Sequence, residues 1–235
     1  MRKITEVEIN QIFDFTKKHY VEFYDVQVEL VDHLANAIEE QWKENPNISF
    51  EDALQNEFKK FGVFGFTGLV EQKQTELHKY YNKMLWKEVL KFFSIPKVVI
   101  TVLLYLSVFY ILKNYGTLGE IIILALLIAL FTYFMIDGLR HVFKIKRTQK
   151  NQGRSWLIQS VAQSAFSLPT IGITGAYYTF INRFFEENYN FTNIGFHFLS
   201  AFFVFQMICT FVFYKVLKPS LNKSIQETEK RFQYI

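Results

Sequence analysis

The chain has few of the residues that build cross-linked or metal-held proteins, with one cysteine, Cys209, and four prolines among 235 residues. A lone cysteine excludes an internal disulfide framework and a cysteine-based zinc site. No glycine-rich phosphate loop, nucleophile elbow, HExxH or paired-carboxylate pattern occurs. We therefore expect a protein that is not an enzyme and that has no cofactor and no metal site. The start of the chain has no apolar signal-peptide core, so membrane entry is expected to begin at an internal span.

Charge is also missing over long stretches between residues 98 and 217, whereas the first 97 residues hold 13 Lys and Arg and 16 Asp and Glu. The net charge of +4 therefore comes from basic residues in the second part of the chain. A nucleic-acid binder would need a basic face on its soluble part. We expect no nucleic-acid partner.

Four of the uncharged stretches are long enough, once flanking residues are included, for membrane helices of about 20 apolar residues. The expected transmembrane helices cover about 94–113, 118–138, 156–180 and 195–216. The predicted fold is all-α, with a cytoplasmic helical domain at 1–95, a four-helix transmembrane bundle within 96–217 and a cytoplasmic tail at 218–235. The partner that follows from this architecture is the lipid bilayer.

The basic residues predict the orientation of these spans. Sixteen lie before the first span, between the second and third, or after the fourth, and two lie in the other connections. Positive loops face the cytoplasm, so both termini are predicted to be cytoplasmic, in the plasma (inner) membrane of a bacterium. Six topology-determining residues lie between the second and third spans: Arg140, Lys144, Lys146, Arg147, Lys150 and Arg154. An alternative role for these six is the binding of anionic lipid headgroups.

The first 95 residues show the spacing of amphipathic helices, with apolar residues recurring every three to four positions between Tyr24 and Trp42. Pro46 is expected to end that helix, and Ser49 with Asp52 gives a start signal for the next. Gly62 stands where a helix end favours a left-handed residue. A long polar helix is expected from about residue 69 to 93, with a break near Pro96.

Three runs in this part resemble a known family: YDVQVELVDHL at 24–34, SFEDAL at 49–54 and FKKFG at 58–62. They are similar, in order, to the HAAS-type helical domain over about residues 20–75. That family forms a cytoplasmic front end on bacterial membrane proteins, associated with PadR-type transcriptional regulators or permease-like segments. The resemblance implies signalling or regulation rather than a reaction.

Glu29, Asp32 and His33 are the most chemically suggestive cluster, because spacings of three and four residues put them on one helix surface. A zinc site needs three or four ligands, and no further His or Cys lies near them in the sequence. We expect the three residues to face a partner protein, with a metal or general-base role as the alternative.

The predicted spans hold no Asp, Glu, Lys or Arg at their centres. Glu120, Asp137 and His197 fall at span ends, where the interface is expected to solvate them. This pattern argues against an ion-coupled transporter. Uncharged polar residues remain as candidates for interhelical contacts: Gln159, Gln163, Ser164 and Gln206. The alternative is a small polar pocket between the third and fourth spans.

Two functions follow as hypotheses. The first is a regulatory or signalling membrane protein, whose helical front end contacts a cytoplasmic regulator while the bundle anchors it or senses the bilayer. The second is a transport accessory or small permease component, with a polar path between the third and fourth spans. The oligomeric state, the ligand and the partner's identity do not follow from the sequence.

Overall fold

The computed structural model describes residues 2–165 and 193–232, and within these ranges it contains helices and one isolated β-bridge but no strand of a sheet. This confirms the all-α prediction. A 3₁₀ turn, Lys91–Phe93, follows α4, and a π-helix, Phe213–Leu217, follows α7. The helices are α1 Glu6–Lys18, α2 Tyr24–Glu44, α3 Phe50–Lys59, α4 Phe66–Leu90, α5 Lys97–Gln152, α6 over the described residues 157–165, α7 Asn193–Val212 and α8 Lys218–Arg231.

Local signals set the helix ends in the first part of the chain. Thr5 and Glu8 form a reciprocal capping box at the start of α1. The Ser49 hydroxyl accepts a hydrogen bond of 3.0 Å from the backbone N–H of Asp52, as its position predicted. Gly62 has the predicted left-handed conformation, with φ of 72°. The bounds of α2 to α4 therefore agree with the sequence pattern to within a few residues.

The chain divides into two compact units, each made of several segments. The first contains Met1–Lys79, Arg147–Val161 and Ser224–Ile235, and the second contains Tyr80–Lys146 and Ala162–Lys223. The first unit thus differs from the predicted domain 1–95, since α4 beyond Lys79 belongs to the second unit. It also takes in a segment that follows the second predicted span and the end of the tail.

The core of the first unit is built by the apolar faces of its helices. Ile12, Leu34 and Ile38 are fully buried, and Leu157 joins them from α6. Burying each such side chain contributes about 1.5–3 kcal/mol. Residues 156–161 were predicted to begin the third span, but five of the six, all except Ser160, are buried and the segment belongs to this unit. An apolar run alone does not distinguish a protein core from lipid.

The second unit contains a break in α5. Gly116 has φ of 51° and ψ of −135°, which interrupts the helix between the first two predicted spans. A Cβ added to Gly119 would lie 2.6 Å from the backbone oxygen of Ile111. Residues eight apart in a straight helix are separated by about 12 Å along its axis, so the chain turns back on itself at Gly116. Leu112, Leu127 and Leu199 are buried together in the core of this unit.

Two helical stretches in the described ranges are long and apolar enough to cross a membrane, Lys97–Gln152 and Asn193–Arg231. The first includes the second predicted span and, from residue 97 onward, the first predicted span, on either side of Gly116. The second includes the fourth predicted span. Of the third predicted span, residues 166–180 lie outside the described residues. The four-helix bundle therefore stays a prediction.

Candidate functional site

The three residues of the predicted partner-facing cluster line one open cleft on the first unit. Glu29, Asp32 and His33 lie along α2, and the facing wall comes from Phe61 and α4. The cleft has a volume of about 410 Å³. The helical spacing therefore brought these side chains together as predicted, and the long-range packing of α4 supplied the opposite wall.

The cleft combines an apolar floor with a charged rim, a composition typical of protein recognition sites. Leu30 and Leu69 line it beside Phe61, whose ring meets the His33 ring edge-on with centroids 6.4 Å apart. On the rim, Lys73 of α4 forms a 2.5 Å ion pair with Glu29. Asp32 has no ion-pair partner within the described part of the chain.

The same cluster does not supply a metal site. No group of three or more His, Cys, Asp or Glu residues that could hold a metal ion occurs among residues 2–165 and 193–232. Glu29 is engaged with Lys73, and His33 lies against an aromatic ring. Asp32 and His33 are exposed and so are open to hydrogen bonds and ion pairs from outside the unit.

A junction between the starts of α2 and α6 was not predicted. The carboxylate of Asp25 accepts a hydrogen bond of 3.1 Å from the backbone N–H of Leu157 and so caps α6. The Tyr24 N–H donates to the Ser155 carbonyl at 2.8 Å, and the Ser155 hydroxyl donates to the Glu22 carbonyl at 2.7 Å. These bonds hold the segment after α5 against the start of α2.

The end of the chain joins this junction through aromatic rings. The Phe232 ring stacks on Trp156 with centroids 5.5 Å apart and meets Tyr24 edge-on at 6.4 Å. Gln159 of α6, a predicted candidate for interhelical contacts, accepts a hydrogen bond from Gln149 of α5 and donates one to Glu229 of α8. The first unit is therefore assembled from three separate segments of the chain.

The other predicted polar contacts lie in the second unit. Gln206 is buried and donates to Thr210 in its own helix, at 3.5 Å. Gln163 and Ser164 are half-buried near the end of the described part of α6. The rest of the third predicted span, which would line the predicted polar pocket, lies outside the described residues.

Two acidic residues predicted to be solvated at span ends are placed differently. Glu120 is buried, with 8 % of its surface exposed, next to the turn at Gly116. Asp137 accepts hydrogen bonds from Lys218, at 2.7 and 2.9 Å, and from the Tyr214 hydroxyl at 2.9 Å. The prediction of solvation was wrong for Glu120, because it did not take account of the packing around the turn. Asp137 is half-buried and keeps 23 % of its side chain exposed beside these partners.

The six basic residues predicted to determine the topology are all exposed. Arg140, Lys144 and Lys146 lie in the second unit, and Arg147, Lys150 and Arg154 lie in the first. Arg154 differs from the rest because its guanidinium carbon lies 4.0 Å from the centre of the Tyr24 ring, in a cation–π contact.

Comparison with protein-family models, with curated proteins and with solved structures finds no match for this chain. The similarity to the HAAS-type domain therefore stays a prediction from the sequence.

Proposed function

We propose that the protein is a regulatory protein of a bacterial inner membrane, whose first unit binds a cytoplasmic partner protein in the cleft between α2 and α4. The apolar helices of the second unit anchor it and place it to sense the bilayer. The observation that carries this proposal is the cleft itself, in which Glu29, Asp32 and His33 surround an apolar floor.

The membrane location is supported by apolar side chains that remain uncovered. Only 33 % of the most apolar 18-residue segment of α5 is buried. Ile100, Leu103 and Leu106 each expose more than half of their surface. A water-soluble protein rarely exposes a continuous apolar surface of this kind, whereas lipid would cover it without cost.

The three segments that make up the first unit support an orientation with both termini on the same, cytoplasmic side. Its three segments lie before α5, after α5 and at the end of α8. Since they form one compact unit, they must lie on one side of a membrane, and the chain between successive segments must cross it an even number of times. The turn at Gly116 supplies two crossings within α5. Between Val161 and Ser224, α7 supplies one crossing, and the predicted third span would supply the other.

The cleft favours a partner segment that carries an apolar side chain next to a basic one. The apolar residue would contact Leu30 and Leu69 on the floor, and the basic residue would reach Asp32 on the rim. Burial of one aliphatic side chain contributes about 1.5–3 kcal/mol, which is a sufficient anchor for a regulatory contact.

Site-specific photo-crosslinking in cells tests this proposal on the full-length chain. A photoreactive residue in place of His33 should yield one discrete crosslinked product, and the Asp32→Lys substitution should abolish it. Glu40 gives a matched control, since it is also exposed on α2 but does not line the cleft. The same product from position 40, or no discrete product from position 33, would contradict the proposal.

A further inference from the structure

The first unit has a second cleft, of about 500 Å³, between the end of α1, the turn that leads into α2 and the segment that follows α5. Its polar lining includes Lys17, Arg154, Glu22 and Gln27. No residue of the α2–α4 cleft lines it. The two clefts therefore share no lining residue.

Two cationic side chains from distant parts of the chain, Lys17 and Arg154, line this cleft. Neither Lys17 nor Arg154 forms an ion pair with any residue in the described ranges. Glu22 also lines the cleft, so the three charged side chains leave a net charge of about +1. Two cations brought together in a cleft favour an anionic ligand that is able to contact both.

The Arg154 side chain is oriented by its neighbour. Its guanidinium carbon lies 4.0 Å from the centre of the Tyr24 ring, and Tyr24 also lines the cleft. Stacking uses the flat face of the guanidinium and leaves its in-plane N–H donors available. Those donors match two oxygens of a phosphate group.

We propose that this cleft binds a phosphate group, held by the guanidinium of Arg154 and the ammonium of Lys17. The group is either free inorganic phosphate or the phosphate of an anionic lipid headgroup, which present the same oxygens. This site is separate from the proposed partner cleft, and its ligand would contact the segment that joins α5 to α6.

The test measures the melting temperature of the full-length protein in nanodiscs, since a ligand that binds only the folded state raises it. One arm adds inorganic phosphate to phosphatidylcholine nanodiscs. The other replaces part of the phosphatidylcholine with phosphatidylglycerol and adds no phosphate. A rise in the first arm identifies a free phosphate, and a rise in the second arm alone identifies the lipid headgroup.

In the double variant Lys17→Gln with Arg154→Gln, the ligand should no longer raise the melting temperature. Its binding should be weaker by about tenfold or more, because two charge-assisted contacts are removed. The matched control is the double variant Lys18→Gln with Lys150→Gln, which removes the same charge from α1 and from the end of α5, at exposed positions outside the cleft. The control should bind within about twofold of the wild type. Equal losses in both pairs, or no rise in either arm, would overturn the proposal.

Glu22→Gln provides an independent check that does not remove a proposed ligand-binding group. It eliminates the carboxylate of the cleft and should tighten binding of an anion by reducing repulsion. Weaker binding of both probes by this variant would overturn the assignment of a simple anion.

Discussion

The carboxylate of Asp25, at the start of α2, accepts a 3.1 Å hydrogen bond from the backbone N–H of Leu157, at the start of α6. The two residues are 132 positions apart. One side chain of the first segment thus satisfies an N–H that helix geometry leaves unpaired. This bond ties the segment after α5 into the first unit.

Removing the Asp25 carboxylate should weaken the first unit. Asp25→Ala should destabilise the first unit by about 1 kcal/mol, the usual net contribution of one hydrogen bond. Asp25→Asn keeps an acceptor oxygen and should cost less at neutral pH. Thermal unfolding of the full-length protein in detergent would measure both. Equal melting temperatures for wild type and the Ala variant would contradict the capping role.

Asp25 should also make the stability of the first unit depend on pH. Burial raises the pKa of Asp25 above its ordinary value of 3.8 and outweighs the hydrogen bonds from the backbone N–H groups of Leu157 and Val26. In the folded state the protonated carboxyl of Asp25 is therefore favoured over the carboxylate. The stability that this group contributes to the fold is lost as the pH rises through the raised pKa. Wild type should lose stability relative to Asp25→Asn as the pH rises from below 3.8. A constant difference across that range would contradict this assignment.

Glu8 should show the opposite dependence. Burial alone would raise its pKa, but hydrogen bonds from Thr5 and the guanidinium of Arg2 outweigh it and hold the pKa of Glu8 below its ordinary value of 4.5. Its contribution to stability is present above pH 4.5 and is lost as the pH falls through the lowered pKa. Glu8→Gln should therefore be less stable than wild type at neutral pH, and the two melting temperatures should converge in acid. Divergence in acid would contradict the capping-box account.

Gly119 tests the turn in α5. Gly119→Ala would place a Cβ 2.6 Å from the Ile111 carbonyl oxygen. Because this distance is too short for a carbon–oxygen contact, the backbone at the turn would have to shift. We expect a loss of about 1–3 kcal/mol, typical of overpacking. Gly68→Ala is the matched control, because its nearest neighbour would be the Phe64 Cβ at 3.8 Å. This control should keep or slightly raise the melting temperature. Similar behaviour of the two variants would contradict the close approach at the turn.

Phe232 tests whether the end of the chain belongs to the first unit. Phe232→Ala removes contacts with Trp156 and Tyr24, each such aromatic pair being worth about 0.5–1.5 kcal/mol. We expect a lower melting temperature, whereas Gln226→Ala, at an exposed position of α8, should have no effect. If Phe232→Ala also had no effect, the tail would not contribute to the unit.

The helices of the first part were predictable because their signals are local. Ser49, Gly62 and Pro46 act on neighbouring backbone, and the spacing of Glu29, Asp32 and His33 places them on one surface whatever packs against it. The cleft that these three residues line needed Phe61 and α4, whose position depends on tertiary packing.

The composite first unit was not predictable by the same means. The apolar residues from Trp156 onward resemble the start of a span, since lipid and a protein core both favour them. Contacts such as those of Asp25 with Leu157, or of Gln159 with Glu229, join residues separated by 132 and 70 positions. The spacing of residues within a short stretch of sequence does not indicate contacts between residues so far apart.

The central claim is that all three segments of the first unit lie in the cytoplasm while the turn at Gly116 lies outside. Single cysteines at Gln55, Asn151, Gln226 and Asn114, each exposed, would be introduced into a Cys209→Ser background. A membrane-impermeant maleimide applied to intact cells should label only the Asn114→Cys variant, and the other three should react after the membrane is opened. Labelling of Asn151→Cys or Gln226→Cys in intact cells, or protection of Asn114→Cys, would contradict the account.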